Sequence, residues 1–196
     1  MTRRAELEEQ TRLRITESAV GLHERVGPAR TSISAIAERA GVRRSTVYRH
    51  FPDEEALFDA CSSHWRAANP PPDPNAWADI GEPGVRLETA LLELYAFYAR
   101  TECMYTSLLR DEAFVPAVRR RLQEFHGYVE LCRDVLMAGR SLRGRAARRT
   151  CAAIGHSLAF ATWRSLTREQ KLDERDAVAL MRALVDQAPL ATRPRS

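Results

Sequence analysis

The stretch Arg43-Arg44-Ser45-Thr46-Val47-Tyr48-Arg49-His50 sets seven hydrogen-bonding side chains around one apolar residue. A guanidinium presents two parallel N–H donors, the geometry that pairs with O6 and N7 of guanine. Hydroxyl and imidazole groups suit phosphate oxygens. Wound as a helix with Val47 turned inward, the stretch offers Arg43, Arg44, Ser45, Thr46, Tyr48, Arg49 and His50 to a nucleic-acid groove. The local charge agrees. Between residues 25 and 50 six arginines stand against one acid, Glu38, a balance that exceeds the net +4 of the whole chain. Such a patch is the electrostatic footprint of a phosphate-binding surface.

A helix of this kind needs a scaffold, and the preceding residues supply one. Thr31 or Ser32 can cap a first helix by accepting a free backbone N–H. Ile33, Ile36, Ala37 and Ala40 form its buried stripe. Gly41 stands where the chain must turn, and glycine tolerates the left-handed conformation required there. Val42 and Val47 pack the second helix on the first, with Ala37 small enough for a steep crossing. An alanine, a glycine four residues later and an apolar residue six after that is helix-turn-helix spacing. The motif spans residues 32–51, and Ser32 joins the predicted DNA-binding set.

Catalytic patterns are not found. Cys61 and His64 share a helical face, but no second ligand pair follows at metal spacing. Glu54-Glu55 and Asp111-Glu112 are adjacent acids that do not face each other across a cleft. No GxSxG, glycine-rich phosphate loop or HExxH occurs. The expectation is therefore a protein that is not an enzyme, with no metal and no cofactor. Its four cysteines, Cys61, Cys103, Cys132 and Cys151, are widely spread, which reads as free thiols in a reducing compartment.

The remaining chain reads as helix throughout. Hydrophobic residues make up 44% and charged residues 29% of the 196 positions, an ordinary globular mixture. Ile15, Ala19, Leu22 and Val26 keep helical spacing. So do Leu87, Leu91, Leu94 and Tyr98, then Phe114, Val118, Leu122, Phe125, Val129, Cys132 and Leu136, and finally Leu180, Met181, Leu184 and Ala188. Sustained alternation of period two is absent, so the fold class is all-α. Prolines at 70, 71, 72, 74 and 83 exclude a continuous helix there. No apolar run approaches the roughly 18 residues that cross a bilayer, and residues 1–9 carry no apolar signal core. A soluble, cytoplasmic protein without membrane contact is expected, with mobile tails at 1–9 and 189–196.

Ile36-Ala37-Glu38-Arg39-Ala40-Gly41-Val42, followed by Ser45-Thr46-Val47-Tyr48-Arg49-His50-Phe51-Pro52 and Glu55-Ala56-Leu57, resembles the signature of the tetracycline-repressor (TetR) family. The resemblance covers roughly residues 10–60. It implies an amino-terminal three-helix DNA-binding domain over 9–68, with a connecting helix over 53–68 capped by Asp53. It further implies a helical effector-binding and dimerisation domain over 69–196. The partners implied are a double-stranded, palindromic DNA operator, a second copy of the chain and a small-molecule effector that moves the connecting helix, usually to relieve repression. The dimer surface falls on two late helices, 145–166 and 173–188, the first rich in small residues. Tyr95, Tyr98, Phe125, His126, Tyr128 and Trp163 combine apolar bodies with polar tips and are the predicted ligand-binding set. Two residues depart from the family pattern. Arg43 stands where a capping serine is frequent, and Glu54 where a lysine often meets the DNA backbone. Both favour an alternative, a helical interaction protein whose DNA-binding domain is weak or degenerate.

Overall fold

A computed structural model describes residues 3–190. Among them the elements are helical: α1 (Arg3–Val26), a 3-10 turn (Pro28–Arg30), α2 (Ile33–Ala40), α3 (Arg44–His50), α4 (Glu54–Ala68), α5 (Pro74–Ala78), α6 (Pro83–Asp111), α7 (Pro116–Met137), α8 (Gly144–Leu158), α9 (Phe160–Arg164), a π-helical turn (Ser165–Glu169) and α10 (Glu174–Gln187). The chain forms two compact units. The first joins the segment up to Pro70 with Thr101–Gln123, and the second joins Pro71–Arg100 with the chain from Glu124 onward.

In the first unit the core is Ile15, Ala19, Leu22, Ile33, Ile36, Ala37, Ala40, Val47, Phe51, Leu57 and Cys61. The helix-turn-helix stripe, Ile33, Ile36, Ala37 and Ala40, is therefore buried. Arg3–Glu9, expected to be a mobile tail, is instead the first part of α1. Arg4 pairs with Glu8 at 3.2 Å, one turn on, and Glu6 favours the positive helix end. Part of the other expected tail, 191–196, lies outside the described residues; 189 and 190 form a turn.

A polar clasp closes this unit. Ser107 donates to the carbonyl of Glu24 at 3.3 Å and Arg110 to that of Val26 at 2.8 Å. The buried Asp111 accepts from the Ala29 N–H at 2.9 Å and from Arg110 at 2.8 Å. These bonds satisfy groups that the end of α1 leaves open. Gly27, at φ +88°, runs beneath Arg110 and Asp111, where a Cβ would collide with both side chains.

In the second unit the proline-rich segment is ordered by side chains. Tyr128 donates to the Pro72 carbonyl at 2.9 Å, and the indole N–H of Trp77 donates to Glu93 at 2.8 Å. Arg86, only 6% exposed, donates to the carbonyls of Ile80, Val135 and Ala138, capping α7 and closing the loop before α6.

Three expectations are corrected in these elements. The expected 145–166 helix is broken at Ala159, which is extended at φ −71°, ψ 133°. The break frees carbonyls that Tyr95 and Tyr98 take up, donating to Ser157 at 3.0 Å and Leu158 at 2.6 Å. Phe114 is 77% exposed, because α7 begins only at Pro116 and the phenylalanine stands in the turn before it. In α10 the buried stripe is Ala177, Val178, Met181 and Val185, while Leu180 and Leu184 face outward, 48% and 42% exposed.

Candidate nucleic-acid interface

Local rules account for the helix-turn-helix geometry. The Ser32 hydroxyl accepts from Ala35 N at 3.2 Å, so it caps α2. Gly41, left-handed at φ 64°, ends that helix, and the Val42 N–H returns to the Ala37 carbonyl at 3.0 Å. Asp53 caps α4 through Ala56 N at 2.7 Å. The helix between them, α3, has no such support at its start. Arg43 is its N-cap residue and makes no side-chain cap bond. A cation there also opposes the positive end of the helix dipole.

Val47, wholly buried, sets the rotation of α3. Its opposite face then presents Arg43, Arg44, Ser45, Tyr48 and Arg49 to solvent, with Thr46 half-buried and Ser32 exposed at the head of α2. Arg44 donates to the Tyr48 hydroxyl at 3.1 Å, and its guanidinium carbon lies 5.6 Å from that ring's centroid. The hydrogen bond to Tyr48 raises the Arg44 pKa further, so the group stays cationic. A pair one turn apart on an exposed face narrows the directions Arg44 can take.

His50 is placed differently from the other predicted contacts. It is half-buried, and its Nε2 is shielded from solvent with no hydrogen-bond partner. Burial, then the neighbouring charges of Arg49 and Arg12, push its pKa down, so the ring is neutral near pH 7. The residue beside it that sequence reading missed is Arg12, on α1. Arg12 donates to the His50 carbonyl at 3.1 Å, and its guanidinium carbon lies 4.5 Å from the centroid of the buried Phe51 ring. The two partners are 38 residues apart in the chain, so periodicity carried no signal of the contact. Glu54 is exposed.

Of the ligand-binding set predicted for the second unit, Tyr95, Tyr98, Phe125, Tyr128 and Trp163 are linked by ring contacts, with Tyr98 6.5 Å from Tyr95 and 6.3 Å from Phe125 between centroids. Tyr98 packs edge-on against Phe160, 5.3 Å between centroids, and lies 5.8 Å from Trp163; Phe125 stacks on Tyr128 at 5.5 Å. The Tyr95, Tyr98 and Tyr128 hydroxyls are engaged by the backbone carbonyls already described. The Trp163 indole N–H is buried without a hydrogen-bond partner, under the Arg168 guanidinium at 4.8 Å. His126 is exposed and makes none of these ring contacts. An open groove of about 700 Å³ lies elsewhere in the unit, between α6 and α10, among Glu88, Leu92, Arg175, Asp176, Arg182 and Asp186. Two of the thiols are held in the protonated form: burial pushes Cys61 up to about 12 and Cys132 up to about 11, away from reactive thiolates. No helix of the described residues is long and apolar enough to cross a membrane.

Comparison with known proteins finds this geometry in others. Residues 15–61 match the sequence model of the tetR family of bacterial regulatory proteins. The whole chain is similar in fold to a putative transcriptional regulator from Pseudomonas aeruginosa PAO1, at 18% identity and a TM-score of 0.67, with 93% of this chain and 91% of that one covered. It is similar to a TetR-like transcriptional regulator from Rhodococcus sp. RHA1, at 19% identity and 0.65, covering 94% and 97%. It is also similar to NalD of Pseudomonas aeruginosa, the secondary repressor of the MexAB-OprM multidrug efflux pump, at 21% and 0.58, covering 92% and 96%. With the helix-turn-helix, its capped turn and its exposed arginines in place, residues 15–61 match the amino-terminal domain of the tetR family of bacterial regulatory proteins, and the chain shares the fold of these solved regulators.

Proposed function

We propose that the chain is a cytoplasmic, ligand-responsive repressor that acts as a homodimer on a palindromic operator. One observation carries the reading: α3 is rotated by Val47 so that Arg43, Arg44 and Tyr48 stand together on its exposed face. In this reading residues 9–68 form the DNA-binding domain and 69–196 the effector-binding and dimerisation domain. Arg43 and Arg44 contact bases from the amino-terminal end of α3. Ser32, Ser45, Thr46, Tyr48 and Arg49 hold phosphates. The unfavourable placement of Arg43 at the helix start is explained if its partner is the DNA itself.

The exposed leucines of α10, with the half-exposed small residues Ala153 and Gly155 of α8, support a dimer surface. Small residues allow helices to approach closely across a two-fold axis. The unpaired indole N–H of Trp163 supports an effector with a hydrogen-bond acceptor, bound among the aromatic side chains of the second unit. The name of NalD as a repressor favours repression here over activation.

Selection from random duplex DNA with the purified full-length chain tests this reading. The expected product is an inverted repeat whose half-site centres lie about 34 Å apart along the helix axis, bound more weakly as salt rises. Failure to enrich any sequence overturns it and leaves the interaction-protein alternative.

A further inference from the structure

We infer that Arg12, which lies on α1 outside the segment matched to the family, is a positioning residue for DNA recognition that fixes the carboxy-terminal end of α3 against α1. The inference rests on the DNA-binding reading above and assigns this residue a part in it.

The need for such a residue follows from the helix itself. With seven residues, α3 is too short to be held by its own hydrogen bonds. Its start lacks a side-chain cap, and a cation sits there against the dipole. Its orientation must therefore come from packing through Val47 and from whatever holds its end. At that end the Phe51 N–H returns to the Val47 carbonyl at 2.9 Å, which leaves the His50 carbonyl projecting from the last turn. Arg12 meets that carbonyl at 3.1 Å. A cation is favourable at this end of a helix, the reverse of the situation at Arg43.

The second contact gives the first its direction. The guanidinium of Arg12 lies over Phe51, 4.5 Å from the ring centroid. Phe51 is 1% exposed and belongs to the core that α1, α2 and α4 share. The ring thus acts as a fixed floor, and the stacked, planar guanidinium can aim its N–H at only a narrow range of positions. The shielded imidazole of His50 leaves that residue's carbonyl as its polar handle on α1. A small tilt of α3 about Val47 would move Arg44, at the opposite end, away from a groove it must enter squarely.

The rival role for an exposed arginine on α1 is a direct phosphate contact, and the two roles separate experimentally. Full-length Arg12→Met keeps the aliphatic stem and removes the donors and the charge. Arg12→Lys keeps the charge and a donor for the His50 carbonyl. For an operator selected by the wild-type chain, Arg12→Met is expected to weaken binding about tenfold, the equivalent of one charged hydrogen bond. Arg12→Lys is expected to recover most of that loss. The slope of log affinity against log salt is expected to be unchanged in both, because no phosphate contact is lost. In the free protein, amide exchange at 48–51 is expected to quicken in Arg12→Met while the global unfolding midpoint stays within a few degrees of wild type. A salt slope reduced by about one charge in Arg12→Met would identify a phosphate contact and overturn the inference. So would unchanged affinity. The exchange measurement needs no DNA, so unchanged exchange at 48–51 overturns the positioning role even if the DNA-binding reading itself fails.

Discussion

Two helices of this molecule, α3 and α10, each carry a face that their own unit leaves uncovered, and the two faces are opposites. On α3 it is cationic and polar: Arg43, Arg44, Ser45, Tyr48 and Arg49. On α10 it includes Leu180 and Leu184, flanked by Ala179 and Ala183. The anchoring differs in the same sense. Asp173 caps α10 by accepting from Asp176 N at 2.8 Å, whereas α3 begins on an arginine and is held at its far end by Arg12. A helix whose apolar face waits for a protein surface can be built to stand alone. A helix that meets phosphate carries its positive charges where they are locally unfavourable, because the partner compensates for them. The composition of an uncovered face thus identifies its partner better than its size does.

The comparison can be broken most severely at α10. Leu184→Glu combined with Leu180→Glu removes two leucines from the proposed dimer surface and adds like charges across the two-fold axis. Each buried leucine contributes about 1.5–3 kcal/mol per protomer, so a shift from dimer to monomer is expected in analytical ultracentrifugation. Operator affinity should fall with it. A variant that remains dimeric would place the interface elsewhere.

Next in size is the clasp at the end of α1. Asp111→Asn retains the volume but removes the charge that Arg110 and the Ala29 N–H both address. Burial raises this carboxyl's pKa, yet the bonds from Arg110 and Ala29 outweigh that and hold it below the ordinary range. A loss of about 2 kcal/mol in urea unfolding is expected. A midpoint unchanged within error would mean that the clasp contributes nothing.

A third effect is set by pH. His23 is buried, and burial, opposed in part by Asp111, lowers its pKa to about 4. The unfolded chain therefore takes up a proton near pH 6.5 that the folded chain refuses until about pH 4. Stability from this group is intact above pH 6.5 and declines as pH falls, by about 1.4 kcal/mol per pH unit inside that window. Urea unfolding between pH 7 and 5 measures it. The slope should be shallower in His23→Gln, and an equal slope would exclude His23 as its source.

The smallest expected effect sharpens the view of α3. Tyr48→Phe keeps the ring and removes the acceptor for Arg44, so base discrimination should loosen by about 0.5–1 kcal/mol. Competition between selected and single-base-changed duplexes reads it directly. Equal discrimination would show that Arg44 is oriented by the DNA alone.

The helix-turn-helix was legible because its determinants are local. Ser32, Gly41, Asp53 and the stripe from Ile33 to Ala40 act within one or two turns, and a buried Val47 dictates which neighbours face outward. What escaped was decided by partners far along the chain. Ala159 carries no breaking residue type, and the break there is stabilised by tyrosine hydroxyls some 60 residues earlier. Leu180 and Leu184 share a helical period with Met181, but only the packed unit determines which stripe is covered. In the candidate site, the outward arginines of α3 follow from periodicity. The inward ring of His50 and the anchoring by Arg12 do not, since both depend on how α1 lies beside the end of α3.

The central claim is that the face of α3 bearing Arg43, Arg44 and Tyr48 recognises DNA. Its most direct test is the affinity of a chain carrying Arg43→Ala, Arg44→Ala and Tyr48→Phe together for the operator selected by the wild type, measured across a salt series. Each base-reading arginine should contribute about 1–3 kcal/mol, so a loss of at least tenfold is expected, with sequence preference erased and fold retained by circular dichroism. Undiminished affinity and preference in that variant would contradict the claim.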